Sequence, residues 1–244
     1  LLFQIINFGF AQNSQVLSRE FKSISLIEDH YERLASLQTL GDNVALDSLR
    51  FPLKDFRRST YLKLRTVYLQ VPTSFFKIKP FPANSSNQTK AEIAFLIDLQ
   101  TKRSPELMAK TDEMANIYYD PFTNNPANED YQRNILSLFH IGKDLGNWYT
   151  PDNLPETARV LQNVIQDATY YFFNLKADFA RPRPYHLSND IKNPEAPGHS
   201  AYPSGHSSAS YVNAYLLAEI FPELNDKFLS NAYDMAFSRE IRGV

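Results

Sequence analysis

The stretch Ala201-Tyr202-Pro203-Ser204-Gly205-His206-Ser207-Ser208 organises the reading of the whole chain. Pro203 stops whatever precedes it. Ser204 and Gly205 are small and can open a helix, and an apolar helical pattern follows through Ala209, Val212, Leu216 and Ile220. A tight turn therefore delivers His206 onto the first turn of a buried helix. The free N–H groups at such a start attract an anion, and the helix dipole adds to the attraction. Gly205 leaves room for a ligand to touch the backbone. Ser204 offers a hydroxyl, and His206 can move a proton near neutral pH. By itself the stretch reads first as a proline turn and a helix cap. The rest of the chain raises the second reading, an oxyanion or phosphate cradle with an acid–base group built in.

Upstream, Pro151-Asp152-Asn153-Leu154-Pro155 introduces the longest helix, with Val160, Leu161, Val164, Ile165, Ala168, Phe172 and Leu175 on one stripe. Lys176 projects beside that stripe, four residues after Phe172. Arg181-Pro182-Arg183-Pro184 then breaks the helix, because proline cannot continue it. Residues 185–202 read as a loop. Downstream, the helix after His206 ends near Pro222. A last helix from Glu223 sets Leu224, Phe228, Ala232 and Met235 on one face. Arg239 is the next member of that series. A guanidinium on a core-facing stripe needs a fixed anionic partner, and Asp98, Asp234 and Glu240 are the candidates. Lys176, Arg183 and Arg239 thus point to where helices meet, beside the Ser204–His206 turn. Singly, each has a plain reading as a snorkelling lysine, an exposed loop arginine or an ion-paired arginine. Their joint spacing is much harder to explain that way.

These residues carry a resemblance. Lys176, six residues, then Arg183-Pro184 resembles the first signature of the type-2 phosphatidic acid phosphatase and vanadium haloperoxidase superfamily. Pro203-Ser204-Gly205-His206 resembles the second, and Ser238-Arg239 the start of the third. Ala94–Asp98 and Leu217–Pro222 are similar to segments of the bacterial class A non-specific acid phosphatases. The resemblance spans roughly residues 80–244 and implies an all-α fold, a single helical-bundle domain. It implies phosphate binding by Lys176, Arg183, Ser204, Gly205 and Arg239, with His206 as catalytic acid–base, no metal and no cofactor. The expected activity is hydrolysis of small phosphomonoesters through a phosphohistidine. The third signature continues with five residues and a histidine, so the nucleophile is expected just after Val244, and the chain is read as clipped at both ends. A vanadate-dependent haloperoxidase on the same scaffold is the alternative. A non-catalytic anion-binding protein is another, should the chain end naturally at Val244. Similar enzymes often assemble, so a homo-oligomer is one expectation. His30, His140, His186 and His199 match no signature and are read as structural or exposed.

The bulk properties agree with this class. The chain has 244 residues, 43% of them hydrophobic, and a net charge of −2 with no basic tract, which argues against a nucleic-acid partner. No cysteine is present, so a disulfide framework, a thiol nucleophile and a thiolate metal site are excluded. The chain holds only 7 glycines, against 14 tyrosines and 18 phenylalanines, which favours aromatic-packed helices. The opening apolar run Leu1–Phe10, with Gly9-x-Ala11, resembles the end of a secretory signal, a buried N-terminal strand or helix being the alternative. No later run approaches a membrane span, so a soluble protein, periplasmic or secreted, is expected.

The division anticipated is residues 1–11 as signal remnant, 12–90 as a helical and loop region packing on the core, and 91–244 as the catalytic core. Helices are expected around residues 26–37, over 90–102, over 105–119 and over 131–145. The 90–102 helix is apolar on most sides and expected to be central. Its Asp98 would need a partner if buried. Residues 52–90 read as a surface connection, with a β reading open for Tyr61–Val71.

Overall fold

A computed structural model describes residues 28–244, and the expected signal remnant at 1–11 lies outside them. Among the described residues there are α-helices and 3-10 turns and no strand. The protein is a single all-α domain. Its helices are α1 (Glu28–Ala35), α2 (Val44–Asp47), α3 (Asn87–Thr101), α4 (Pro105–Asn116), α5 (Tyr131–Leu138), α6 (Pro155–Phe179), α7 (Pro184–Leu187), α8 (Gly205–Ile220) and α9 (Asn225–Arg242). None is long and apolar enough to cross a membrane.

The centre is built by α6, α8 and α9. Leu161 and Ile165 of α6, Ala214 and Leu217 of α8, and Phe228 and Ala232 of α9 are buried together, with α5 supplying Ile135 and Leu138. On α6 the periodicity and the structure agree, because its apolar stripe has neighbours to bury it. On α8 the fully buried residues are Ser210, Asn213, Ala214 and Leu217, whereas Ala209, Val212 and Leu216 of the expected stripe are partly buried and Ile220 is exposed. The other face of α9 packs Met235, Phe237 and Ile241 on Leu99 of α3 and Met114 of α4. A third cluster joins the N-terminal segment to α6 through Phe51, Phe56, Tyr61, Leu64, Phe172 and Phe173.

Several expectations need correction. Helix α3 is peripheral, not central: only Thr89 and Leu99 of its residues are fully buried. Asp98 is exposed and pairs with Lys102 one turn on, at 2.6 Å. Tyr61–Val71 forms no strand. Its amides are taken by side chains of α6 instead: Val67, Tyr68 and Leu69 donate to the Asp167 carboxylate at 2.6–2.8 Å. The Tyr171 hydroxyl reaches the Leu69 and Val71 carbonyls. Backbone groups satisfied in this way leave a strand nothing to pair with. The 131–145 helix turns to 3-10 geometry from His140, where Gly142 lies against Tyr149; a Cβ there would stand 2.3 Å from that ring.

The geometry that places the site is the return from α6 to α8. Ala180 ends α6 in the left-handed region, at φ 45°. The chain then runs extended through Arg183, makes the single turn α7, and comes back so that the Ala201 amide donates to the Arg181 carbonyl at 3.0 Å. The Tyr202–Pro203 peptide is cis. The Ala201–Arg181 bond ties the chain leaving α6 to the chain entering α8, and Gly205 comes to lie beside Lys176.

Candidate functional site

Lys176 is the floor. Its side chain is fully buried on the last turns of α6, and its ammonium donates to the Ser200 carbonyl at 2.8 Å and, more weakly, to that of Ala201 at 3.4 Å. The Ser200 hydroxyl returns a bond to the Lys176 carbonyl at 2.6 Å. This reciprocal hook fixes the loop that carries Ser204–His206. Gly205 opens α8 against the same lysine: a Cβ added there would stand 3.7 Å from Lys176 Cε and 3.4 Å from the Phe172 ring. Burial holds the ammonium well below the usual lysine range, and the charges of Arg183 and Arg239 lower it further. A cation so placed gains stability from an anion brought beside it.

Arg183 is 5% exposed and is held by His199. Its Nε donates to the His199 carbonyl, and its Nη2 to the ring Nδ1, each at 2.9 Å. A guanidinium only donates, so Nδ1 accepts and the His199 proton sits on Nε2. The Ser200 carbonyl, 3.3 Å from that Nδ1, is then a contact without a proton. Burial, with Lys176 and Arg183 nearby, drops the His199 pKa to about 2, so the ring stays neutral. Burial also brings Arg183 down to about 10.

Arg239 comes from the last turns of α9 and is 8% exposed. Its partner is Glu195, which is none of the three carboxylates the sequence suggested. The same Glu195 oxygen lies 3.6 Å from Arg242, which also reaches Asp112 at 3.1 Å. Arg239 Nη1 is buried with no hydrogen-bond partner. Burial lowers the Arg239 pKa, an effect partly offset by Glu195.

Ser204 caps α8, its Oγ accepting from the Ser207 amide at 3.3 Å and from the Ser207 hydroxyl at 2.9 Å. Its own hydroxyl proton is thus left to donate elsewhere. His206 stands in the first turn of the same helix. Its Nε2 lies 3.1 Å from the Ala115 carbonyl, and its ring packs 6.3 Å from that of Tyr118. Burial first, then Arg239, Lys176 and Arg58, lower its pKa to about 3. Beside it lies a cavity of about 40 Å³ lined by Tyr118, Thr169, Asn213 and others. The side-chain oxygens of those three are buried without a well-formed hydrogen bond, and a space of this size admits water.

The structure therefore gathers Lys176, Gly205 and Ser200 by direct contact. It also sets Arg239 close enough to Lys176, Arg183 and His206 to lower the titration of each. Sequence reasoning missed Glu195, Tyr118 and Arg58; His199, read as structural or exposed, is structural, holding Arg183. None lies on a periodic stripe or in a short motif, and only the fold brings together the 185–202 loop, the N-terminal segment and the connection after α4 that carry them. His186 meets Tyr185 edge-on and lies near Phe51. His140 lines the cavity.

An alignment of 100 residues, covering 38% of the chain, is 32% identical to a non-specific acid phosphatase from Providencia stuartii. The match spans about 40% of that relative's length. No family model matches the chain. The likeness is distant and partial, and it points toward a phosphatase.

Proposed function

We propose that the protein is a metal-independent acid phosphatase of the type-2 phosphatidic acid phosphatase and vanadium haloperoxidase superfamily, similar to the class A enzymes, acting on small phosphomonoesters in the periplasm or outside the cell. The observation that carries this reading is the concentration of buried positive charge around Gly205: Lys176, Arg183 and Arg239, with one carboxylate, Glu195, among them. Unbalanced buried charge is costly, and a phosphate dianion is the ligand that relieves it. The partial likeness to an acid phosphatase supports the same reading.

In this reading the three cations hold the equatorial phosphoryl oxygens, where charge spreads in the transition state. The Gly205 amide and the Ser204 hydroxyl complete the cradle. A histidine following Val244 attacks phosphorus, so that a P–N bond forms as the ester P–O bond breaks. The departing alkoxide takes its proton from His206. Water then attacks the phosphohistidine, giving up a proton to His206 and releasing phosphate. His206 is neutral in the anion-free site, because the surrounding cations oppose a further charge. The substrate's own negative charge is what permits its protonation, so acid catalysis is switched on by binding.

The test uses the full-length protein. It is expected to release phosphate from nitrophenyl phosphate at acid to neutral pH in the presence of chelator, with orthovanadate as inhibitor because it adopts the geometry of the transition state. A labelled phosphoenzyme, labile to acid and stable to alkali, should accumulate on rapid quenching. Complete loss of activity in chelator, restored by a divalent metal, overturns the reading, as does turnover with no such intermediate.

A further inference from the structure

Arg58 is a charged group that neither the sequence motifs nor the proposed cradle uses. It lies on the N-terminal segment that covers α6, a segment anchored by the Arg57 amide on the Gly198 carbonyl at 2.7 Å and by Phe56 and Tyr61 on Phe173. The Arg58 guanidinium sits over the Tyr118 ring at 4.6 Å and over Tyr61 at 5.4 Å. Its Nη1 donates to the Tyr61 hydroxyl at 3.1 Å, and that hydroxyl donates onward to Asp120 at 3.1 Å. Among the described residues no carboxylate lies within ion-pair distance of Arg58. Asp120 is one hydrogen bond removed.

Its place relative to His206 is what matters. Tyr118 has Arg58 over its ring and the His206 ring 6.3 Å from its own, so it is the neighbour the two side chains share. In the phosphatase reading, on which this inference rests, His206 meets the leaving oxygen. The rest of the leaving group then extends away from the phosphoryl cations and along the Tyr118 side of the site. The cradle cations are occupied by the phosphoryl group and Glu195. Arg58 keeps unused N–H donors and an unneutralised charge, aligned on an aromatic face that holds it in place.

We infer that Arg58 binds an anionic group on the leaving-group portion of the substrate, so that the site favours phosphomonoesters whose alcohol or phenol carries a second negative charge. The electrostatic reach of Arg58 to both His206 and His199 is consistent with that position.

The test compares phenyl phosphate with 3-carboxyphenyl phosphate, whose leaving groups differ little in basicity, on the full-length protein and its Arg58→Gln and Arg58→Lys variants. The expected result is a preference of about tenfold in kcat/KM for the carboxylated ester, expressed mainly in KM, as for one charge-assisted hydrogen bond. It should fall to near one in Arg58→Gln and be partly kept in Arg58→Lys. A ratio near one in the unmodified protein, or one that survives in Arg58→Gln, overturns the assignment. If neither ester is hydrolysed, the phosphatase reading itself fails. Binding of phenylphosphonate and 3-carboxyphenylphosphonate, measured by calorimetry on the same three proteins, then decides the role of Arg58 independently by the same ratio.

Discussion

The Nε2 atom of His206 lies 3.1 Å from the carbonyl oxygen of Ala115. A carbonyl only accepts, so Nε2 carries the proton, and Nδ1 is the nitrogen that gains or loses one. A helix start and the end of α4 thereby fix which face of the imidazole can do chemistry.

Replacing His206 by alanine is expected to slow alkyl phosphates far more than nitrophenyl phosphate. An alkoxide needs a proton from a general acid, while a nitrophenolate leaves without one, and such help is typically worth about 10²–10⁴-fold. Steady-state kinetics on both esters is the check. Equal losses would assign His206 to binding.

Stability should fall on acidification. His206 and His199 have folded pKa values near 3 and 2, below the unfolded value of about 6.5. Between those limits the unfolded chain binds more protons, so their contribution is complete above about pH 6.5 and is lost as the pH falls through that window. Thermal melts from pH 7.5 to pH 4.5 should show the decline, and a His199→Gln variant should show a shallower one. Phosphate should oppose the decline, because its negative charge favours protonated His206. Calorimetry in two buffers of different ionisation enthalpy should register proton uptake on binding, and its absence would contradict the electrostatic picture.

Lys176→Met should separate stability from function. The ammonium is fully buried and disfavoured by its surroundings, so an apolar replacement of similar length relieves that cost but leaves the Ser200 carbonyl without its donor. The two effects oppose, so its melting temperature should change little, while phosphate binding weakens by at least about tenfold, the loss of one charge-assisted contact. A variant that retains phosphate affinity would remove Lys176 from the cradle.

Glu195→Gln should do the reverse. Two buried guanidiniums, Arg239 and Arg242, lose a shared carboxylate, although Arg242 keeps Asp112. Since Glu195 itself is 28% exposed, a cost of about 1–2 kcal/mol is expected. Phosphate should restore more melting temperature to this variant than to the unmodified protein, by supplying the missing charge. Equal phosphate shifts in the two proteins would show that Arg239 does not face the anion.

Asp167→Ala is the structural contrast. Its carboxylate, 5% exposed, takes three backbone amides of residues 67–69. A loss of about 2–4 kcal/mol is expected, with the anion site unaltered in the protein that remains folded. Chemical denaturation and phosphate titration together measure both.

The sequence alone determined the long helices and their inward faces. The stripes on α6 and α9 repeat at helical spacing over many residues, and a pattern that long overrides local ambiguity. It also showed that Lys176, Arg183, Arg239 and the Ser204–His206 turn belong at helix ends or on buried faces, because charge and glycine at such positions have few other uses. Helix α3 was misread because its apolar residues surround it, and periodicity says nothing about which neighbours arrive. Tyr61–Val71 has the residue types of a strand, and only the folded chain shows Asp167 taking its amides. Tertiary structure alone decided the partners: Glu195 on Arg239, His199 on Arg183, Arg58 over Tyr118. These pairs join segments 16 to 60 residues apart, through loops without periodicity. A local pattern records which face of a helix avoids water, whereas the identity of a counter-charge depends on where the chain returns.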